Sequence, residues 1–336
     1  MNKKDEVSKP VRRARWMVII TNFIFIAAIF GTLVYRSDPL SRYPYGTSAQ
    51  RSIMAERFSN ADIDILINSQ IYPEQILPFM DAPGFDINNT LYYDIAARTQ
   101  RADSEFIVQF VNKYRDRFDA TSLEEMLSWM PYSNLIEYFD TNNSTPLAKN
   151  PLAFDCYLDP KTTLYTWRPS DLVQAEPTLS LRSNAAQAWS RMKQAAAEDG
   201  VTLRAISGFV SYEMQRNMSE YASMPLAPYG SREEQLGLTL YLDGYDIWNQ
   251  TLSTMPEGEY DFIHAIETLS DEQRASRDWL EAHASDYGFV LRYGQGKEAQ
   301  TGVLYQPFVI RYVTPEIAGS LKEKDLSLEE YEKEGD

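Results

Sequence analysis

Residues 181–215, LRSNAAQAWSRMKQAAAEDGVTLRAISGFVSYEMQ, decide the fold. The first half is an Ala-rich helix that Gly200 stops. VTLRAISGFVS (201–211) then reads as a strand running into a turn, and LGLTLYLDG (236–244) reads as another strand. Further on, SDEQRASRDWLEAHASDYG (270–288) opens with the capping-box pair Ser270 and Gln273 and ends at Gly288. FVLRY (289–293) and GVLYQPFVIRYV (302–313) close the region as strands. Helices followed by a few strands define an α+β domain.

Upstream, 146–180 is an irregular connector carrying Pro146, Pro151, Pro160, Pro169 and Pro177. The stretch 55–145 reads as short helices. IDILINSQIYPEQILPFMD (63–81) is similar to LEEMLSWMPYSNLIEYFD (123–140), which predicts a repeated helix-turn-helix unit. FIVQFVNKYRDRF (106–118) adds an amphipathic helix. Residues 36–54, with Pro39, Pro44, Gly46 and several serines, read as a polar stem.

The first 35 residues have a different character. WMVIITNFIFIAAIFGTLVY (16–35) is an uncharged run of 20 residues, or about 30 Å as a helix, which matches a bilayer core. Residues 1–15 hold six basic and two acidic side chains, so the positive-inside rule predicts a cytoplasmic tail, a single-pass anchor and an extracytoplasmic remainder. The net charge of −16 argues against nucleic acid and other polyanions as partners. Cys156 is the single cysteine, so no intramolecular disulfide exists, and its apolar neighbours predict a packed side chain and not a reactive thiol. The 22 tyrosines fit a packed, folded chain.

From the anchor through NPLAFDCYLDP (150–160) to DWLEAHASDYGFVLRYGQGKEAQTGVLYQPFVIRYV (278–313), the chain resembles the membrane-anchored D-alanyl-D-alanine carboxypeptidases of the VanY type. The likeness includes the Ser-Gly-aromatic-x-Ser-Tyr-Glu turn at Ser207–Glu213. It implies a mainly antiparallel sheet in a carboxypeptidase-like domain at 146–318, followed by an acidic tail at 319–336. It also implies zinc, peptidoglycan stem peptides as substrate and a cell-wall setting.

The resemblance further implies three zinc ligands, a glutamate base and an arginine for the substrate carboxylate. Their positions in this chain are Glu234, Tyr241 and Val309 for the ligands, Gln306 for the base and Val210 for the arginine. Valine coordinates nothing, and a tyrosine phenol ionises only near about 10. An amide is no general base, and Val210 offers no fork for a carboxylate. No catalytic residue, metal ligand set or cofactor is therefore expected. The reading is a degenerate carboxypeptidase, a pseudoenzyme that binds a peptide, peptidoglycan or a cell-wall protein. Ser207, Ser211, Tyr212, Gln215, Glu234, Tyr241, Gln306 and Arg311 are the candidate pocket residues. The rival is an active carboxypeptidase with a non-standard metal site built from Glu233, Glu234 and Asp243. Of the only two histidines, His283 reads as a solvated helix position and His264 as a helix-surface or packed one.

Overall fold

The computed structural model describes residues 9–37, 39–141, 143–221 and 227–335. A helix runs from Lys9 to Ser37, and its apolar window, Arg13–Val34, has no buried residue. At 22 residues, or about 33 Å, that window is long and apolar enough to cross a membrane.

The chain divides into two compact units, Met1–Glu124 and Glu125–Asp336. In the first, Tyr43, Met54, Ile63, Leu66, Ile71 and Ile76 form a buried core, with Leu40, Tyr45 and Phe58 against it. Tyr43 donates its hydroxyl hydrogen bond to the carbonyl of Ile71 at 2.6 Å. The segment expected to be a polar stem thus sends Tyr43 and Met54 into this core, with Leu40 and Tyr45 partly buried against it. Its serines and prolines hide an aromatic and aliphatic set, Leu40, Tyr43, Tyr45 and Met54, that gains more from burial than from hydration. Capping boxes at Thr47–Gln50 and Ser59–Asp62 start the helices Ser48–Arg57 and Asn60–Asn68.

The division falls within the helix Ala120–Trp129, earlier than the expected boundary at 145/146. The helix Tyr132–Asp140 belongs with the second unit because its side chains bond there. Tyr138 donates to the Thr145 carbonyl at 2.8 Å, and Asn134 donates to Thr166 Oγ1 at 2.9 Å. Trp129 meets Trp167 edge-on at 5.8 Å.

The second unit begins its sheet structure inside the expected irregular connector, with the antiparallel hairpin β1 (Leu172–Glu176) and β2 (Leu179–Arg182). The helix Ser183–Glu198 follows, burying Ala185, Ala188, Trp189, Met192 and Ala196 at three-to-four spacing. The main sheet holds β3 (Ala205–Ser207), β4 (Thr239–Leu242), β5 (Phe289–Tyr293) and β6 (Gln306–Tyr312) in the order β3-β4-β6-β5. All three pairings are antiparallel. Every residue of β6 is buried, as befits a central strand covered on both faces.

The expected acidic tail at 319–336 is instead part of this unit. Helices Pro315–Lys324 and Leu328–Gly335 carry Ala318, Leu321 and Leu328 into a core with Val313. The carboxylates that made the stretch look solvated are mostly exposed, and one of them, Glu329, is buried against Arg292.

Candidate functional site

One row of residues crosses three strands of the sheet. Ser207 of β3 stands opposite Tyr241 of β4, and Tyr241 stands opposite Val309 of β6. Paired residues point to the same face, so these three side chains share it. A cavity of about 410 Å³ opens here, lined by Ser207, Val210, Glu234 and Tyr241 among others.

Glu234 reaches the cavity from the short 3₁₀ turn Glu233–Leu236, which Gly237 closes at φ +68°. The Tyr241 hydroxyl donates to Glu234 Oε2 at 3.2 Å. Burial pushes the Glu234 carboxyl up from its ordinary range. Burial, and then the neighbouring Glu234, pushes the Tyr241 phenol well above its own. Tyr245 begins the next helix just beyond Gly244, whose φ of +108° and contact with the Phe308 ring leave no room for a Cβ. Tyr245 packs edge-on against Tyr241 at 4.8 Å. Tyr245 and Tyr293 both line the cavity, and neither was singled out in the sequence because a tyrosine carries no signal of its own among 22.

Beneath the cavity lies a charged hub centred on Glu233. Arg292 meets it at 3.0 Å, Arg311 meets it at 3.1 Å, and the Leu158 amide donates to it at 2.9 Å. Arg292 also holds Glu329 at 2.8 Å. Burial raises the Glu233 carboxyl, but the two guanidinium groups outweigh it and hold it below the ordinary range. Arg311 completes its bonding on the carbonyls of Phe154 and Cys156 at 3.2 and 2.6 Å.

The remaining candidates take scaffold positions. Gln215 is fully buried, donating to the Val210 carbonyl at 3.1 Å and accepting from the Gly230 amide at 2.8 Å. Arg311 is fully buried on the hub and does not line the cavity. Ser211 accepts from the Met214 amide at the start of the helix Tyr212–Tyr221. Tyr212 packs between Tyr165 and Tyr229, at 5.1 and 5.2 Å. Gln306 donates to Asn249 Oδ1 at 2.8 Å.

The donor set does not fit a catalytic zinc. Such an ion takes three nitrogen, sulfur or carboxylate donors and one water, and the corresponding side chains here are a carboxyl, a phenol and an isopropyl group. Asp243 turns to Gln273 at 3.2 Å and Arg204 at 3.8 Å, away from Glu234. His264 and His283 pair loosely with Glu267 and Asp286 on their own segments, at 3.8 and 3.7 Å, and neither lines the cavity. Among the described residues, no three such side chains gather closely enough to share a metal. Burial pushes the Cys156 thiol up to about 12, which disfavours its thiolate form.

The second unit is thus an α+β domain with an antiparallel sheet and a cavity on one face. Residues 178–315 match the family model VanY: D-alanyl-D-alanine carboxypeptidase, and this stretch is a domain of that family. The putative carboxypeptidase YodJ of Bacillus subtilis is 30% identical over 183 residues, 49% of this chain and 61% of that protein. A D-alanyl-D-alanine carboxypeptidase of Enterococcus faecium is 31% identical over 150 residues, 44% of this chain and 42% of that one. The chain therefore spans less than two thirds of the length of these two relatives. Among solved structures, the LdcB LD-carboxypeptidase is similar at 28% identity and a TM-score of 0.41, covering 55% of this chain and 86% of that one.

Proposed function

We propose that this protein is a pseudoenzyme of the carboxypeptidase family, held at the cell membrane by residues 16–35 with the bulk of the chain outside, and that it binds a peptide in the old cleft. The observation that carries the reading is the trio Glu234, Tyr241 and Val309. Two of these are joined by a hydrogen bond to each other, and the third is an aliphatic side chain opposite in the sheet. A site with that composition has no means of making a metal hydroxide, and Gln306 has no carboxylate to accept a proton from water.

The rival reading of an active carboxypeptidase would need Glu233, Glu234 and Asp243 to act together. Glu233 is already saturated by Arg292 and Arg311, and Asp243 is engaged elsewhere. The test is made on the full chain in detergent. Zinc content is measured beside release of D-alanine from a diacetylated lysyl-D-alanyl-D-alanine peptide. The proposal expects neither stoichiometric zinc nor release. Chelator-sensitive release of D-alanine would overturn it.

A further inference from the structure

The cavity has reversed its charge preference. Where the family likeness puts a zinc ligand this chain has Glu234, and where it puts the carboxylate-binding arginine it has Val210. Glu234 is only 8% exposed; the Tyr241 hydroxyl bonds it and the charge of Arg232 draws its carboxyl down, but neither cancels the upward push of burial. A buried carboxylate in that position is costly unless something compensates it.

The rest of the lining agrees. With Glu233 spent on Arg292 and Arg311, three carboxylates of the lining, Asp159, Glu234 and Asp246, stand against one guanidinium group, Arg232. Arg292 is neutralised by Glu233 and Glu329. Arg232 is committed to the Ala227 carbonyl at 2.9 Å and Ser219 Oγ at 2.6 Å. Around Glu234, Tyr241 and Tyr245 meet at an interplanar angle of 86°, forming a corner of two π systems, and Tyr293 also lines the space. Carboxylate plus aromatic walls are the means by which proteins hold organic cations. Ile206, Val210, Met218 and Val303 also line the cavity and give it an apolar wall suited to a methylene stem.

We propose that this cavity binds a primary alkylammonium group, with Glu234 accepting its N–H and Tyr241 and Tyr245 flanking its charge. A primary amine is favoured over a quaternary one because only the former can donate to Glu234. The proposal names the ligand chemistry for the non-catalytic cleft and rests on that reading.

The experiment titrates the full chain in detergent with three probes by calorimetry: Nα-acetyl-lysine amide, choline and acetyl-D-alanyl-D-alanine. Saturable binding of the lysine probe is expected, with choline weaker by about tenfold or more and no heat from the anionic dipeptide. Glu234→Gln is expected to weaken the lysine probe by at least about tenfold, and Tyr245→Leu by about threefold to tenfold. A cooperative melt for each variant separates lost binding from lost folding, and Tyr245→Leu serves alone if Glu234→Gln does not fold. Absence of saturation, equal affinity in a folded Glu234→Gln, or choline binding as tightly as the lysine probe would each overturn the proposal. Release of D-alanine in the cleavage assay sinks the pseudoenzyme reading instead. A chain that neither cleaves nor takes the amine sinks this inference alone.

Discussion

Arg311 and Glu233, 78 residues apart in sequence, meet at 3.1 Å with both side chains out of solvent. Arg292 meets the same carboxylate at 3.0 Å, so one glutamate ties the turn before β4 to both β5 and β6. Removing Arg311 leaves Glu233 with Arg292 as its remaining guanidinium partner and strips the Phe154 and Cys156 carbonyls of their donor, a loss bounded above by the about 3–5 kcal/mol for breaking a buried pair outright. Arg311→Met is therefore expected to lose stability up to that bound in urea denaturation. An unchanged midpoint would mean that the hub is relaxed by water.

The two adjacent glutamates should titrate against each other. Glu233 lies below its ordinary value of 4.5, so the stability it contributes is present above that value and is lost as pH falls through its folded pKa. Glu234 lies above 4.5, so its contribution is present below that value and is lost as pH rises through its folded pKa. Glu234→Gln is therefore expected to melt higher than the parent near pH 8, with the gain fading near pH 4. Glu233→Gln is expected to melt lower, with the deficit shrinking in acid. Melting temperatures across that range check both slopes, and parallel curves would refute the assignment.

How much of this was legible in the sequence depends on the length scale of the signal. The helix Ser183–Glu198 and its stop at Gly200, the capping box at Ser270 and the strands β4, β5 and β6 are local patterns, and they read correctly. The row Ser207, Tyr241 and Val309 could be assembled only through the resemblance, since pairing registers are not written in any one segment. Tyr43 and Leu328 were missed because composition averages conceal single apolar side chains in polar surroundings. Glu233 was read as a metal candidate because nothing local distinguishes a carboxylate free to take a metal from one already held by two arginines.

The C-terminal helices offer a sharper check on that last lesson. Leu328 is 3% exposed in a core with Val313, Ala318 and Leu321, and Glu329 beside it closes the ion network on Arg292. Leu328→Ala is expected to cost about 2–5 kcal/mol, the range for buried leucines. A free acidic tail would tolerate the change within about 0.5 kcal/mol. Denaturant midpoints of the two proteins distinguish these outcomes.

If the pseudoenzyme reading holds, the scaffold should still accept a zinc site built back into it. Tyr241 already touches Glu234 and stands opposite Val309, so donors placed at these three positions would converge on one face of the sheet. The variant Glu234→His, Tyr241→Asp, Val309→His and Gln306→Glu restores two imidazoles, a ligand carboxylate and a base. It is expected to take up zinc in proportion to chain, measured by metal analysis after dialysis, while the parent does not. Cleavage is a stricter demand, because the Tyr241→Asp change also opens space that water must fill and Val210 still offers nothing to a terminal carboxylate. Adding Val210→Arg should therefore lower KM for a D-alanyl-D-alanine peptide more than it changes kcat. If the fourfold variant folds but binds no zinc, the backbone around the row has moved away from ligand geometry, and the departure from the family's site extends beyond the side chains.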